Sequence, residues 1–209
     1  MAFPATYSGW VQYLRDWLGV DEYSDAQLGN FLDLAQTRLN KEMKSYWMEK
    51  VVSFTKTVGD PIALLTEVPD FSKVRLVSVE GIGSLDVAAI NEIETKRQQN
   101  RDLGSPKEYC IDAGSLYIYP AVAEGGIISV FYYLKVPLIG GSTPLNSNVF
   151  TVNHPDTLLY AASLEAAPYM IENENIPVWE SKYAAALVEA NEGSKAIKMG
   201  STPLVRKAA

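Results

Sequence analysis

Histidine and cysteine occur once each in the 209 residues, as His154 and Cys110. A disulfide framework needs cysteines in pairs, and a zinc site needs three or four nitrogen or sulfur ligands, so one chain supplies neither. Any catalytic triad with an imidazole base must run through His154. Positive charge is also short. Eighteen Lys and Arg stand against 25 Asp and Glu, a formal charge of −7, which argues against gripping nucleic acid by its phosphates. Long apolar runs are missing too. The longest uncharged stretch, 136–155, contains Pro137, Gly140, Gly141 and Pro144 and reads as a long loop, not a membrane span. Residues 1–5 carry no base, and Arg15-Asp16 interrupts the place of an apolar signal core. The expectation is a chain made in the cytoplasm, with Cys110 as a buried thiol. At 47% apolar and 21% charged residues, the composition is that of a folded protein.

The first 45 residues read as two helices. Ser8 is the expected N-cap of the first, Trp10, Tyr13, Leu14, Trp17 and Leu18 recur at helical spacing, and Gly19 stops the run. Ser24-Asp25-Ala26-Gln27 has the form of a capping box, followed by Leu28, Phe31, Leu32, Ala35, Leu39 and Met43 on one face. The pattern then turns to strands. Val52, Phe54 and Val58 alternate with polar residues, and 73–79 and 127–136 are β-branched or aromatic runs. Residues 109–111 and 116–119 flank Asp112-Ala113-Gly114-Ser115, where Gly114 supplies the positive φ of a short hairpin. Residues 88–100 read as a short helix or an exposed loop. The last third returns to helix. Pro155 suits a first helical position, Pro168 must kink or end that helix, and Ile176-Pro177 starts another, with Trp179, Tyr183, Leu187 and Ala190 in phase and Gly193 near its end. Residues 194–209 show no periodicity. They hold four bases and no acid, which leaves 14 bases and 25 acids before them, a balance of −11.

No enzyme motif stands out. Glu80-Gly81-Ile82-Gly83-Ser84-Leu85-Asp86 imitates the opening of a dinucleotide fingerprint, but Asp86 occupies the third small position, where a carboxylate repels pyrophosphate. A Gly-rich turn is the simpler reading. His154, between Asn153 and Pro155, reads as a helix cap or surface contact. The acids Asp21, Glu22 and Asp25 suit a helix start, and Glu172, Glu174, Glu180, Glu189 and Glu192 decorate the C-terminal helices as solvated faces. Trp10, Trp17, Trp47 and Trp179 fit packing positions and are read as core before sugar platform. No cofactor or metal is expected.

An ordered series of segments carries more weight. Val130-Phe131-Tyr132-Tyr133-Leu134-Lys135-Val136-Pro137-Leu138 precedes a Ser/Thr/Asn-rich loop and then the helix holding Leu164-Glu165-Ala166-Ala167-Pro168-Tyr169. An acidic turn at 172–174, Trp179 with Tyr183, and Gly200-Ser201-Thr202-Pro203-Leu204 follow. Upstream lie Val68-Pro69-Asp70-Phe71 and Ser105-Pro106-Lys107-Glu108-Tyr109. From about residue 65 onward the series resembles the tail adaptor (head-to-tail connector) proteins of tailed bacteriophages, mainly short-tailed ones. Val68 stands where that family usually has Leu, and Val149-Phe150 replace a Trp-containing lead-in.

The resemblance implies a homo-oligomeric ring, normally twelve-fold, in the neck of the virion and assembled in the host cytoplasm. It would bind the portal protein above and the next tail component (nozzle or tail tube) below. DNA would pass through its bore without specific binding, and no membrane is involved. Under that reading 194–209 becomes a portal-docking arm, with Lys195, Lys198, Met199, Pro203, Leu204, Val205, Arg206 and Lys207 as its contacts. Trp10, Trp17, Tyr160, Tyr169, Trp179 and Tyr183 are the aromatics expected to pack subunits. The expected fold is α+β: a helical bundle from 1–48 and 138–193, an inserted antiparallel β unit at 49–137, and the extended arm. Two alternatives stay open. One is a carbohydrate- or receptor-binding virion module using a Tyr117/Tyr119/Tyr132/Tyr133 face; the other is a small carboxylate hydrolase.

Overall fold

The computed structural model describes residues 3–19, 22–55, 62–99, 105–121, 126–140, 146–170 and 174–199, with backbone alone over 194–199. The fold is α+β. The chain divides into two compact units, Met1–Met48 with Val136–Ala209 and the intervening Glu49–Lys135.

The first unit is helical. Helix α1 (Tyr7–Leu18) is capped by Thr6, whose hydroxyl accepts the Gly9 N–H at 3.2 Å, and not by Ser8, which lies one residue inside the helix. Thr6 has the extended backbone that a cap requires. Gly19, at φ 66°, closes the helix in the left-handed conformation that glycine adopts without cost. Helix α2 (Asp25–Glu42) begins with the full capping box between Ser24 and Gln27. A 3-10 turn, Tyr46–Met48, then carries the chain out of the unit. The returning segment is not all loop: Asn148 caps a short helix, because its side chain accepts both the Phe150 and Thr151 amides.

Pro155 opens the central helix at a first-turn position. In chain order these two are α5 (Val149–Asn153) and α6 (Pro155–Ala166), with α7 (Ile176–Met199) after them. Helix α6 packs against α1, α2, α5 and α7 and buries Leu158, Leu159, Ala161, Ala162, Ser163 and Ala166. Its alanines let neighbours approach, and the Ser163 hydroxyl satisfies itself on the Leu159 carbonyl at 2.9 Å. Pro168 sits in the 3-10 turn Ala167–Tyr169 that ends α6. Helix α7 continues past Gly193 to Met199, so the expected extended segment does not begin at Ser194. One interior glycine costs only about 1 kcal/mol against alanine, which a long helix tolerates. The ten residues 200–209 lie outside the described set.

The second unit holds β1 (Glu49–Thr55), α3 (Leu64–Glu67), β2 (Phe71–Val79), β3 (Gly83–Ser84), β4 (Asp86–Val87), α4 (Ile90–Gln98), β5 (Glu108–Asp112), β6 (Ser115–Tyr119) and β7 (Ile127–Leu134). Four strands form an antiparallel sheet in the order β1-β7-β2-β3, and three form a second sheet, β4-β5-β6, in which β4 runs parallel to β5. Val58, placed on the first strand by its alternation, falls outside the described residues. Both sheets contribute to one apolar cluster of Ile62, Leu64, Val77, Val79, Leu85, Tyr109, Leu116, Ile128 and Val130. The β5–β6 hairpin turns through Ala113 (φ 46°) and Gly114 (φ 78°), the two positive-φ positions of a tight two-residue loop. A Cβ on Gly114 would also lie 2.5 Å from the Leu65 side chain.

Candidate functional site

Four polar constellations organise the described residues. The first receives the chain where it re-enters the helical unit. Asn40, near the end of α2, donates to the Val136 carbonyl at 2.9 Å and accepts the Val136 amide at 2.7 Å. One turn earlier, the buried Gln36 carbonyl accepts the Ile139 amide at 3.0 Å and the Asn148 side-chain amide at 2.8 Å. Asn148 also donates to the Pro137 carbonyl at 2.8 Å. Residues 36 and 40 share a face of α2, so this pair copies the hydrogen bonding of a neighbouring strand for a segment that has none.

The second lies where β2 and β7 meet. The Asp70 carboxylate accepts from Lys50 Nζ at 2.6 Å and from the Tyr132 hydroxyl at 2.9 Å, while its backbone carbonyl accepts the Lys135 amide. Desolvation pushes the Asp70 carboxyl up, but these hydrogen bonds outweigh it and hold the group below its ordinary range. Burial, with the Asp70 charge, pushes the Tyr132 phenol up to about 12. Two segments of the sequence series, 68–71 and 130–138, thus meet in space through Asp70.

The third is centred on Arg38 of α2, which pairs with Glu42, reaches Glu165 of α6 at 3.5 Å and lies 4.7 Å from the centre of the Tyr183 ring of α7. Tyr183 donates to Glu42 at 2.6 Å. The fourth pairs the Ser45 hydroxyl with His154 Nε2 at 2.7 Å. A hydroxyl beside an imidazole has the makings of a nucleophile and base, but Ser45 is 1% exposed, so no substrate reaches it. Burial lowers the His154 pKa, against a smaller upward pull from Asp156. His154 stands at the N-cap position of α6, as the sequence suggested, without a side-chain capping bond; its ring is a partner inside the fold and not a surface contact.

The remaining candidates sort by exposure. Trp10, Trp179 and Tyr183 are buried within their own unit, so they brace helices and are not available to a neighbour. Trp17 is 41% exposed and meets Tyr160 edge-on at 6.3 Å; Tyr169 is 64% exposed beside Phe31. Trp17 and Trp47 are thus not core. Trp17 sits one step off the stripe of Trp10, Val11, Leu14 and Leu18, and Trp47 lies in the 3-10 turn, where helical spacing does not apply. Lys195, Lys198 and Met199 fall on the last turns of α7, and Pro203, Leu204, Val205, Arg206 and Lys207 lie outside the described residues.

Among the described residues, the groups named for the other readings lie apart. Tyr132 and Tyr119 are buried, Tyr132 and Tyr133 point to opposite faces of one strand, and Tyr117 belongs to the other sheet. There is no single tyrosine face. In the 80–86 segment, Gly81 (φ 75°) and Gly83 (φ 107°) serve the turn into β3, and the chain runs on through β3 and β4 where a dinucleotide fingerprint would open its helix; α4 starts only at Ile90. Asp25 pairs with Arg15. The Cys110 thiol is buried, which raises its pKa and leaves it inert. Among the described residues no cluster of His, Cys, Asp and Glu suits a metal ion, and no helix is long and apolar enough to cross a membrane.

Sequence reasoning missed the Gln36–Asn40–Asn148 clamp and the Asp70 junction. Only the placement of amide side chains on the inner face of α2 hinted at the clamp, since Gln36 falls between Leu32 and Leu39 where an apolar residue is expected.

No curated protein matches the chain. Residues 5–206 match the family described as SU10 adaptor protein, a span that includes both units and every constellation above. The chain belongs to this family, a family of bacteriophage adaptor proteins.

Proposed function

We propose that the chain assembles into a ring of about twelve copies that joins the portal to the tail and encircles the DNA exit channel. The observation that carries the proposal is the family match over nearly the whole chain, because an adaptor family is structural and belongs to the virion. The mechanism is assembly without bond chemistry. Each unit holds itself together by interlocked polar contacts, which suits a part that must keep its shape under load.

Charge supports the same reading. With a balance of −11 over residues 1–193, a bore lined by this protein repels the DNA backbone, so the duplex slides and is not held. The four bases of 194–209 sit on a segment with apolar anchors, Pro203, Leu204 and Val205, suited to a groove on the portal. Contacts worth a few kcal/mol each become strong when repeated around a ring, because later arms bind at high effective concentration. Of the six aromatics considered for subunit packing, the exposure of Trp17 and Tyr169, with the half-buried Tyr160 beside Trp17, supports these three as the contacts.

Co-sedimentation of the protein with its cognate portal tests the proposal. The full chain is expected to travel with the portal, and a chain ending at Met199 to remain in the supernatant. Failure of the full chain to travel with the portal contradicts the adaptor role; undiminished binding of the shortened chain contradicts the arm alone.

A further inference from the structure

The Ser45–His154 pair has no part in the assembly reading, yet it stands at a strategic turn. Ser45 precedes the Tyr46–Met48 turn, through which the chain leaves the helical unit. Its carbonyl accepts the Met48 amide at 2.9 Å, and its hydroxyl accepts the Trp47 amide at 3.4 Å. His154 is the hinge residue between two helices: its amide closes α5 on the Phe150 carbonyl, and its carbonyl accepts the first α6 amide, from Leu158. The turn packs against both α5 and α7, and the neighbouring Lys44 amide donates to the Asn191 side chain at 2.7 Å.

We propose that Ser45 and His154 form a proton-sensitive clasp on this turn, closed while the imidazole is neutral and opened when it takes a second proton. Ser45 is buried, so its hydroxyl hydrogen needs an acceptor, and the neutral ring supplies one at Nε2 when Nδ1 carries the proton. Protonation turns Nε2 into a donor. The Ser45 oxygen then faces two donors, Trp47 N–H and Nε2–H, and its own hydrogen is left without an acceptor in a buried place.

The surroundings add to the cost of the cation. Burial disfavours it, and the N-terminus of α6, where His154 sits, presents the positive end of the helix. Against these, Asp156 on α6 is the charge that favours protonation. Helix α5 is uncharged along Val149–Asn153, and the turn brings the Tyr46 phenol. Lys44, exposed before Ser45, is a further cation on the turn's approach, and on α7 the nearest acids, Glu189 and Glu192, are exposed to solvent. Acid therefore selects an opened turn, at the point where the two units are joined by the chain.

Nuclear magnetic resonance of the full chain tests this cleanly, because one histidine yields one set of ring signals. The ring is expected to titrate below the ordinary histidine value. Amide protection at Trp47 and Met48, corrected for the intrinsic pH dependence of exchange, is expected to fall about tenfold with the same midpoint. In His154→Asn, which puts a favoured capping residue at the start of α6, protection should be independent of pH over that range. In Ser45→Ala the ring should titrate closer to the ordinary value. A ring in the unmodified protein that titrates at or above the ordinary value overturns the clasp, whatever the variants do. So does an acid loss of protection equal in His154→Asn.

Discussion

Tyr7 shows how tightly single residues are constrained. Its ring lies between Gly29 of α2 and Gly140 of the returning segment: a Cβ on Gly29 would stand 2.2 Å from the Tyr7 hydroxyl, and one on Gly140 would stand 2.7 Å from the ring edge. Gly29 lies inside α2, where alanine is intrinsically better by about 1 kcal/mol. The glycine is thus there for the tyrosine, and the two substitutions should be coupled. Gly29→Ala is expected to destabilise the protein by about 1–2 kcal/mol through overpacking. In a Tyr7→Phe background the nearest side-chain atom becomes the ring carbon at 3.4 Å, an ordinary contact, and the same change should stabilise. A double-mutant cycle of urea denaturation reads the change of sign.

Asn40 is constrained by partners instead of space. Its amide satisfies both backbone groups of Val136, which is buried. Asn40→Leu leaves both without partners at about 1–3 kcal/mol each, so a loss of about 2–4 kcal/mol is expected from denaturant melts. Asn40→Ala, by admitting water, should cost less.

At the scale of elements, the junction of β2 and β7 has a pH signature. Asp70 is held below its ordinary value of 3.8, so its contribution to stability is present above that pH and is lost as pH falls through the lowered value. Tyr132 is raised from 10.0 to about 12, so its contribution is present below pH 10 and is lost as pH rises toward 12. Asp70→Asn should remove the Asp70 part of the acid limb in a plot of unfolding midpoint against pH and reduce the alkaline one, whose larger cause is burial of Tyr132. Because the carboxylate and Lys50 are partly exposed, the loss at neutral pH should be only about 1 kcal/mol.

Features governed by neighbours in sequence were legible: the Ser24–Gln27 box, the Gly19 stop, the Gly114 hairpin and Pro155 at a helix start. Each depends on residues within a turn or two. The contacts that decide where segments go were not legible, because Asn40 and Val136 are 96 residues apart and Tyr132 and Asp70 are 62 apart. No local pattern announces such a pair. The errors have the same origin. Thr6 and Ser8 are equally good caps by type, Gly193 looks like a stop until its helix is seen to continue, and Tyr132 and Tyr133, adjacent on one strand, face opposite ways while Tyr117 and Tyr119 belong to another sheet. For the candidate site, composition narrowed the enzyme classes to be considered, but it did not reveal that the one histidine has a buried serine partner.

For the whole molecule, the division of charge gives the most consequence. On the adaptor proposal, an acidic body and a basic terminal segment would let different parts of one chain meet partners of opposite character. Binding to a portal should therefore weaken with salt if the bases of 194–209 carry it, and charge reversal at Arg206 and Lys207 should weaken it further. Trp17→Ser with Tyr169→Ser should impair association between copies while leaving each folded, since both side chains are exposed. Such a variant would bind the portal as scattered copies and not as a closed ring.

The most direct measurement of the adaptor account is electron microscopy of the protein mixed with its cognate portal, with the copies counted around the axis. The account predicts a continuous ring of about twelve copies beneath the portal and coaxial with its channel. Particles showing a bare portal, or copies bound without closing around the channel, would contradict it.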